Sequence, residues 1–249
     1  MRAFAVFGLL LLAAPAVAQE KFVSSDASVR TILDFKAPAA AVQKLLPDGW
    51  ELDSPSSGPA TGSNLRITFI EGVWGEDAQG KPTPTGRTIT VGFLAKKKGA
   101  EVGGLMLVNG LTAGAAPGAY GVYAKASTTS QRTLRTGADG ATTVEEVWDA
   151  KAENGDAVQL QLQYVRAPAV RGKVDLRVYS GAKPEFYRIY RYTLATDALR
   201  GVGTAGDRVR AFTFKASGPK LAPLFDGSEQ LVAITAVPYY SRQVFLPGS

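Results

Sequence analysis

Lys125 is the residue of this chain with the most distinctive chemistry open to it. It lies within Gly118–Thr129, GAYGVYAKASTT, between the apolar runs Leu105–Val108 and Thr142–Val147. Tyr123, Ala124 and Ala126 give it little polar company. Pointed into a closed apolar interior, such a lysine loses basicity by desolvation, and its free amine becomes a nucleophile toward a carbonyl. Pointed outward, it is one more solvated strand lysine. The local sequence leaves both orientations open. What the chain lacks narrows the rest. It has no His and no Cys, which excludes a Ser-His-Asp triad, an imidazole base, a thiolate nucleophile, a disulfide and any His- or Cys-ligated metal. Catalysis would rest on Lys, Tyr, Asp, Glu or Arg, and neither a metal nor a cofactor is expected.

Other side chains are candidates for supporting roles. Glu71 and Glu76 close a strand-like run and open the loop after it, where a carboxylate could assist a lysine; solvated there, they would do nothing. Tyr120 and Tyr123 have the reach to line a pocket. Tyr187, Tyr190, Tyr192, Tyr239 and Tyr240 make the C-terminal third aromatic-rich, a composition that reads first as core. Glu145, Glu146 and Asp149 form the densest acidic cluster, but adjacent strand residues face opposite ways. Glu145 and Asp149 share a face roughly 13 Å apart at the usual strand rise, too far to converge on a metal. Lys96-Lys97-Lys98 is the only basic run and has no aromatic interleaving, so it reads as a solvated hairpin end, and no nucleic-acid partner is expected.

Short strands must position these residues. VRTILDF (Val29–Phe35) is rich in β-branched and aromatic residues, and a short helix follows at Pro38–Leu46, stopped by Pro47-Asp48-Gly49. Trp50–Leu52 leads into a Ser/Pro/Gly loop. In Asn64–Trp74, Leu65, Ile67 and Phe69 alternate with Arg66, Thr68 and Ile70. Gly75–Gly86 is a polar excursion, a lid or an ordinary long hairpin loop. Thr88–Ala95 puts Ile89, Val91, Phe93 and Ala95 on one face. Leu105–Val108 and Val122–Thr128 follow. Ala141–Trp148 and Val158–Val165 flank Glu153-Asn154-Gly155-Asp156, whose Asn-Gly signals a hairpin. Lys173–Ser180, Glu185–Leu194, Arg208–Lys215, Leu231–Val237 and Tyr239–Leu246 complete the series. About ten short strands predict one mainly β domain, and closure into a barrel or cone would remove its free edges.

The N-terminus, MRAFAVFGLLLLAAPAVAQE, reads as an export signal. Arg2 gives the positive start, Ala3–Ala14 the apolar core and Ala16-Val17-Ala18 a small-x-small cleavage site. Residues 1–18 are thus expected to be removed. Residues 19–249 would form one domain, periplasmic or secreted, with no membrane span after cleavage. The mild excess of Lys and Arg, net +6, is spread along the chain.

Three stretches resemble the acetoacetate decarboxylase family: LDFKAPAAAVQKLLPDGWEL (Leu33–Leu52), PTGRTITVGF (Pro84–Phe93) and SGPKLAPLFDGSEQLVAITAVPYYSRQVFLP (Ser217–Pro247). Tyr123-Ala124-Lys125 falls where the family carries its Tyr/Phe-Pro-Lys. The resemblance implies a single closed antiparallel β-barrel or cone with a few short helices around a small-molecule pocket. It also implies Lys125 as a Schiff-base lysine in a keto-acid carboxy-lyase, and assembly into a homo-oligomer. Arg30, Thr68, Tyr123 and Glu71 are the substrate-binding candidates. The departures are concrete. The family's second lysine is here Ala126. One family carboxylate becomes Pro84 or Thr85 and another Thr68. Arg30 is two positions from Ser28, where the family's arginine would fall. With the carboxylates gone, the alternative function is a non-catalytic periplasmic barrel that binds a small apolar or carbonyl ligand.

Overall fold

A computed structural model describes residues 19–248; the expected leader, residues 1–18, lies outside the described residues. The alternating patterns become twelve strands: β1 (Lys21–Lys36), β2 (Trp50–Leu52), β3 (Leu65–Asp77), β4 (Arg87–Lys97), β5 (Gly104–Thr112), β6 (Tyr123–Thr136), β7 (Thr142–Ala152), β8 (Ala157–Val165), β9 (Val170–Ser180), β10 (Tyr187–Arg200), β11 (Val209–Ser217) and β12 (Gln230–Leu246). One helix, α1 (Ala39–Gln43), and a 3-10 turn at Ala222–Leu224 are the helical elements. No helix among the described residues is long and apolar enough to cross a membrane.

Seven strands close on themselves in the order β1-β3-β4-β5-β9-β10-β12, and β12 returns to β1. A second sheet, β6-β7-β8-β11, is antiparallel throughout and joins this ring where β6 pairs with the end of β5. The barrel expected from sequence is therefore present, but one of its pairings, β5–β9, is parallel, as is the β5–β6 junction with the second sheet. One edge of β5 is shared: Leu105–Leu107 pair with β9 and Gly110–Thr112 with β6. Parallel neighbours require crossovers. Residues 113–122 supply the one to β6, and β6, β7 and β8 of the second sheet intervene before β9.

The segments Leu231–Val237 and Tyr239–Leu246 are one continuous strand, β12. Pro238 is tolerated because the register slips there: Ser28 pairs with Tyr240, but Arg30 pairs with Val237. A bulge spares the ladder the missing N–H of proline. Gly75–Gly86 is an ordered hairpin rather than a lid. β3 runs on to Asp77, Glu76 bridges to Pro82, and Thr83 N donates to the Gly75 carbonyl.

Period-two alternation divides the buried side chains between two cores. Leu33, Ile67, Phe69, Ile89 and Val91 face out of the ring, and Val144, Trp148, Leu160 and Leu162 of the second sheet cover them. The opposite faces of the same strands look into the ring. There a smaller cluster, including Leu107, Val122, Val178, Tyr190 and Val244, surrounds open space.

Candidate functional site

That space is a cavity of about 290 Å³. Thr68 (β3), Thr88 and Thr90 (β4) and Thr112 (β5) give one wall its hydroxyls, while Leu105, Leu107 and Val178 add apolar surface. Arg30 (β1), Arg188 and Tyr190 (β10) and Arg242 (β12) form the basic wall. The crossover between β5 and β6 brings Ala115, Gly118, Ala119 and Tyr120 over the cavity. A larger groove of about 670 Å³ crosses the outer surface near Trp74 and Val174. It is open, and its Arg191 is already paired with Glu20 and Asp175, so the interior cavity is the better candidate site.

The three arginines differ in how they are satisfied. Arg242 Nε donates to Asp26 Oδ2 at 2.6 Å, and its guanidinium lies 4.2 Å from the Tyr190 ring centroid. Burial opposes its charge, but Tyr190, Asp26 and Tyr240 outweigh that and hold its pKa well above the ordinary value. Arg30 stacks on Tyr240 at 3.2 Å from the centroid, and its Nε donates to Ser28 Oγ at 2.9 Å. Its Nη2 is buried without a partner. Burial pulls the Arg30 pKa down, and the neighbouring Arg242 adds to that, against Tyr240 and Asp26. Arg30 is half-buried and borders the cavity. Arg188 lies 5.9 Å from the centroids of both Tyr120 and Phe186, and its Nε is buried without a partner.

The phenols beside them stay neutral. Tyr120 Oη donates to Tyr190 Oη at 2.6 Å, and burial, reinforced by Tyr190, pushes the Tyr120 pKa well up. Burial likewise raises Tyr123, whose ring lies against Gly110, where a Cβ would overlap it. A hydroxyl that keeps its proton donates a hydrogen bond. The wall thus offers guanidinium and hydroxyl donors, and no lysine, aspartate or glutamate lines the cavity among the described residues. Such an arrangement can hold an anion; it contains no amine to form an imine and no carboxylate base.

Arg30, Thr68 and Tyr123, singled out from the sequence, share this cavity. Lys125 and Glu71 do not, and both expectations need correcting. Lys125 pairs with Thr112, the last residue of β5, after which β6 departs into the second sheet. Its side chain is 68% exposed, and its ammonium lies 3.7 Å from Glu153. Glu71 has the opposite parity on β3 from Thr68 and Ile70. It faces the second sheet, where it accepts from Ser130 Oγ at 3.3 Å and lies 3.6 Å from both Arg87 and Arg132.

Sequence reasoning missed Arg188 and Arg242. The signal was their period-two spacing: Arg188, Tyr190 and Tyr192 share one face of β10, and Tyr240 and Arg242 share one face of β12. A polar strand face ordinarily meets solvent; here it lines the inside of the ring.

Ring, crossover and cavity define a closed β-cone around an internal cavity. Comparison of structures places the chain in the acetoacetate decarboxylase-like fold. The enduracididine biosynthesis enzyme MppR, with HEPES buffer bound, aligns at a TM-score of 0.55 and 11% identity, covering 94% of this chain and 90% of that one. An acetoacetate decarboxylase-like enzyme from Sphingomonas wittichii RW1 aligns at 0.52 and 11% identity, covering 98% and 99%. The acetoacetate decarboxylase of Legionella pneumophila aligns at 0.51 and 12% identity, covering 100% and 96%. No family model matches the sequence, and no curated protein does so significantly.

Proposed function

We propose that this protein is an exported binding protein of acetoacetate decarboxylase-like fold, and that the ring cavity holds a small organic anion. One observation carries this reading: the guanidiniums of Arg30 and Arg188 line the cavity with no carboxylate paired to either among the described residues, and each has a buried nitrogen with no partner. Leaving a buried charge uncompensated is costly, and an anionic ligand removes that cost. The cavity's size supports a small ligand, since about 290 Å³ is the space of roughly ten waters at ~30 Å³ each. The export signal read in residues 1–18 supports a periplasmic or secreted location.

A Schiff-base lyase acting through Lys125 is not favoured, because an exposed lysine paired with Glu153 has neither the desolvation nor the enclosure that activates an amine. MppR has been solved in complex with pyruvate, so pyruvate and acetoacetate are natural first probes. Two assays test the reading. Calorimetric titration with these anions should give saturable binding that Arg30→Gln weakens at least tenfold. Borohydride reduction followed by peptide mapping should find no adduct confined to Lys125. Selective trapping at Lys125, or anion binding indifferent to Arg30, would overturn it.

A further inference from the structure

We infer that the ligand is a dicarboxylate, held by Arg30 at one end and Arg188 at the other. The inference rests on the anion-binding reading above and specifies its ligand class. Its first ground is charge. Arg30, Arg188 and Arg242 line the cavity, and among the described residues the only carboxylate paired with any of them is Asp26, which takes Arg242. Two positive charges are left over. A monocarboxylate would neutralise one and leave the other unpaired, whereas a dianion matches the surplus.

The second ground is arrangement. Arg30 belongs to β1 and Arg188 to β10, and β12, carrying Arg242, lies between those strands in the ring. Neighbouring strands are about 4.8 Å apart, and the pairing also offsets the two arginines along the ring: Arg30 lies opposite Val237 of β12, whereas Ile189, next to Arg188, lies opposite Phe245. Aromatic rings separate them further. Arg30 stacks on Tyr240, Arg242 on Tyr190, and Arg188 approaches Tyr120, which bonds to Tyr190. The order along the wall is Arg30, then the neutralised Arg242, then Arg188. Charges spread this way suit a ligand with a carboxylate at each end better than a phosphate, which concentrates both charges at one point. Three buried side-chain atoms lack partners among the described residues. Two are the arginine nitrogens; the third is the Thr128 hydroxyl, a neutral group on β6 outside the cavity lining.

The third ground is what lies between the ends. Thr68 and Thr90 face each other across the β3–β4 ladder at the cavity wall, while the Thr88 and Thr112 hydroxyls are 3.0 Å apart and bond to each other. The Thr68 and Thr90 hydroxyls are therefore free to meet a keto or hydroxyl oxygen on the backbone of a four- or five-carbon diacid.

Calorimetric titration of the mature protein with malonate, succinate, glutarate and 2-oxoglutarate tests this, alongside acetate, pyruvate, acetoacetate and inorganic phosphate. The expected result is that one of the longer diacids binds at least tenfold tighter than any monocarboxylate or phosphate. Arg30→Gln and Arg188→Gln should each remove that advantage, leaving diacid and monoacid equal. Ligand-free thermal unfolding of both variants serves as the folding control and should be unchanged or raised. Monocarboxylates binding as tightly as every diacid would overturn the dicarboxylate while leaving the anion site standing. Phosphate binding tightest would do the same in favour of a point dianion. No binding of any anion to a folded protein would overturn both.

Discussion

The two faces of β1 and β3 each meet buried charge and treat it in opposite ways. On the outer face, in the seam against the second sheet, Glu146 is 1% exposed and fully engaged. Its carboxylate accepts from Thr31 Oγ1 at 2.8 and 2.9 Å and from Trp148 Nε1 at 2.6 Å, and it pairs with Arg132 at 3.0 Å. Arg132 continues to Glu71, which also meets Arg87 and Ser130. On the inner face, Arg30 and Arg188 border empty space with nitrogens unpaired. A chain able to complete the first network has the means to complete the second. That it does not is the observation on which the proposed anion ligand rests.

The comparison makes measurable claims. Removing Glu146 leaves the Thr31 hydroxyl and the Trp148 N–H unpaired in the core and Arg132 with Glu71 alone, so Glu146→Ala should destabilise by about 3–5 kcal/mol, as for other broken buried pairs, read by denaturant unfolding. An effect under 1 kcal/mol would erase the contrast between the faces. Alkaline pH should act next. Burial, with Glu146 nearby, pushes Tyr164 of the seam up to about 12, above its unfolded value near 10. A phenol whose folded pKa is raised contributes its full stability below the unfolded value and loses it as pH rises. Stability should therefore fall between about pH 10 and 12, by roughly 1.4 kcal/mol per unit for this group. Absorbance titration should show phenols that ionise only on unfolding.

Smaller effects probe the inner face. Gly110→Ala puts a methyl group into the Tyr123 ring and should cost about 1–3 kcal/mol, while weakening anion binding by moving Tyr123. Unchanged affinity would remove Tyr123 from the site. Lys125→Ala should change stability by no more than ~0.5 kcal/mol, since an exposed pair contributes little, and should leave anion binding intact. Loss of binding in that variant would return Lys125 to the centre of the account.

The fold was legible where strands have one oily side. The alternation at Leu65/Ile67/Phe69 and at Val158/Leu160/Leu162/Tyr164 located strands whose apolar faces are almost wholly buried, and the Asn154-Gly155 turn joins β7 to β8 as read. Arg30, Thr68 and Tyr123 were legible because family resemblance pointed to their strands. Lys125 was misplaced because sequence spacing does not reveal where β6 turns away from β5: only Ala124 separates it from Tyr123, which stays at the cavity. Glu71 was misplaced through parity alone, one residue beyond the cavity-lining Ile70. Arg188 and Arg242 stayed hidden because the inside of this ring is polar, so a basic, aromatic strand face looked like an outer surface or ordinary core.

The most direct measurement is thermal unfolding of the mature protein and Arg30→Gln, each with and without saturating succinate, 2-oxoglutarate or pyruvate. The account predicts that, without ligand, the variant melts at or above the wild type, because a buried unpaired charge has gone. It also predicts that an anion at a hundred times its wild-type Kd stabilises the wild type by about 2.7 kcal/mol and Arg30→Gln, with its at least tenfold weaker binding, by no more than about 1.4 kcal/mol. A variant that melts lower when empty and gains as much from the anion as the wild type would contradict it, as would a wild type that none of the three anions stabilises.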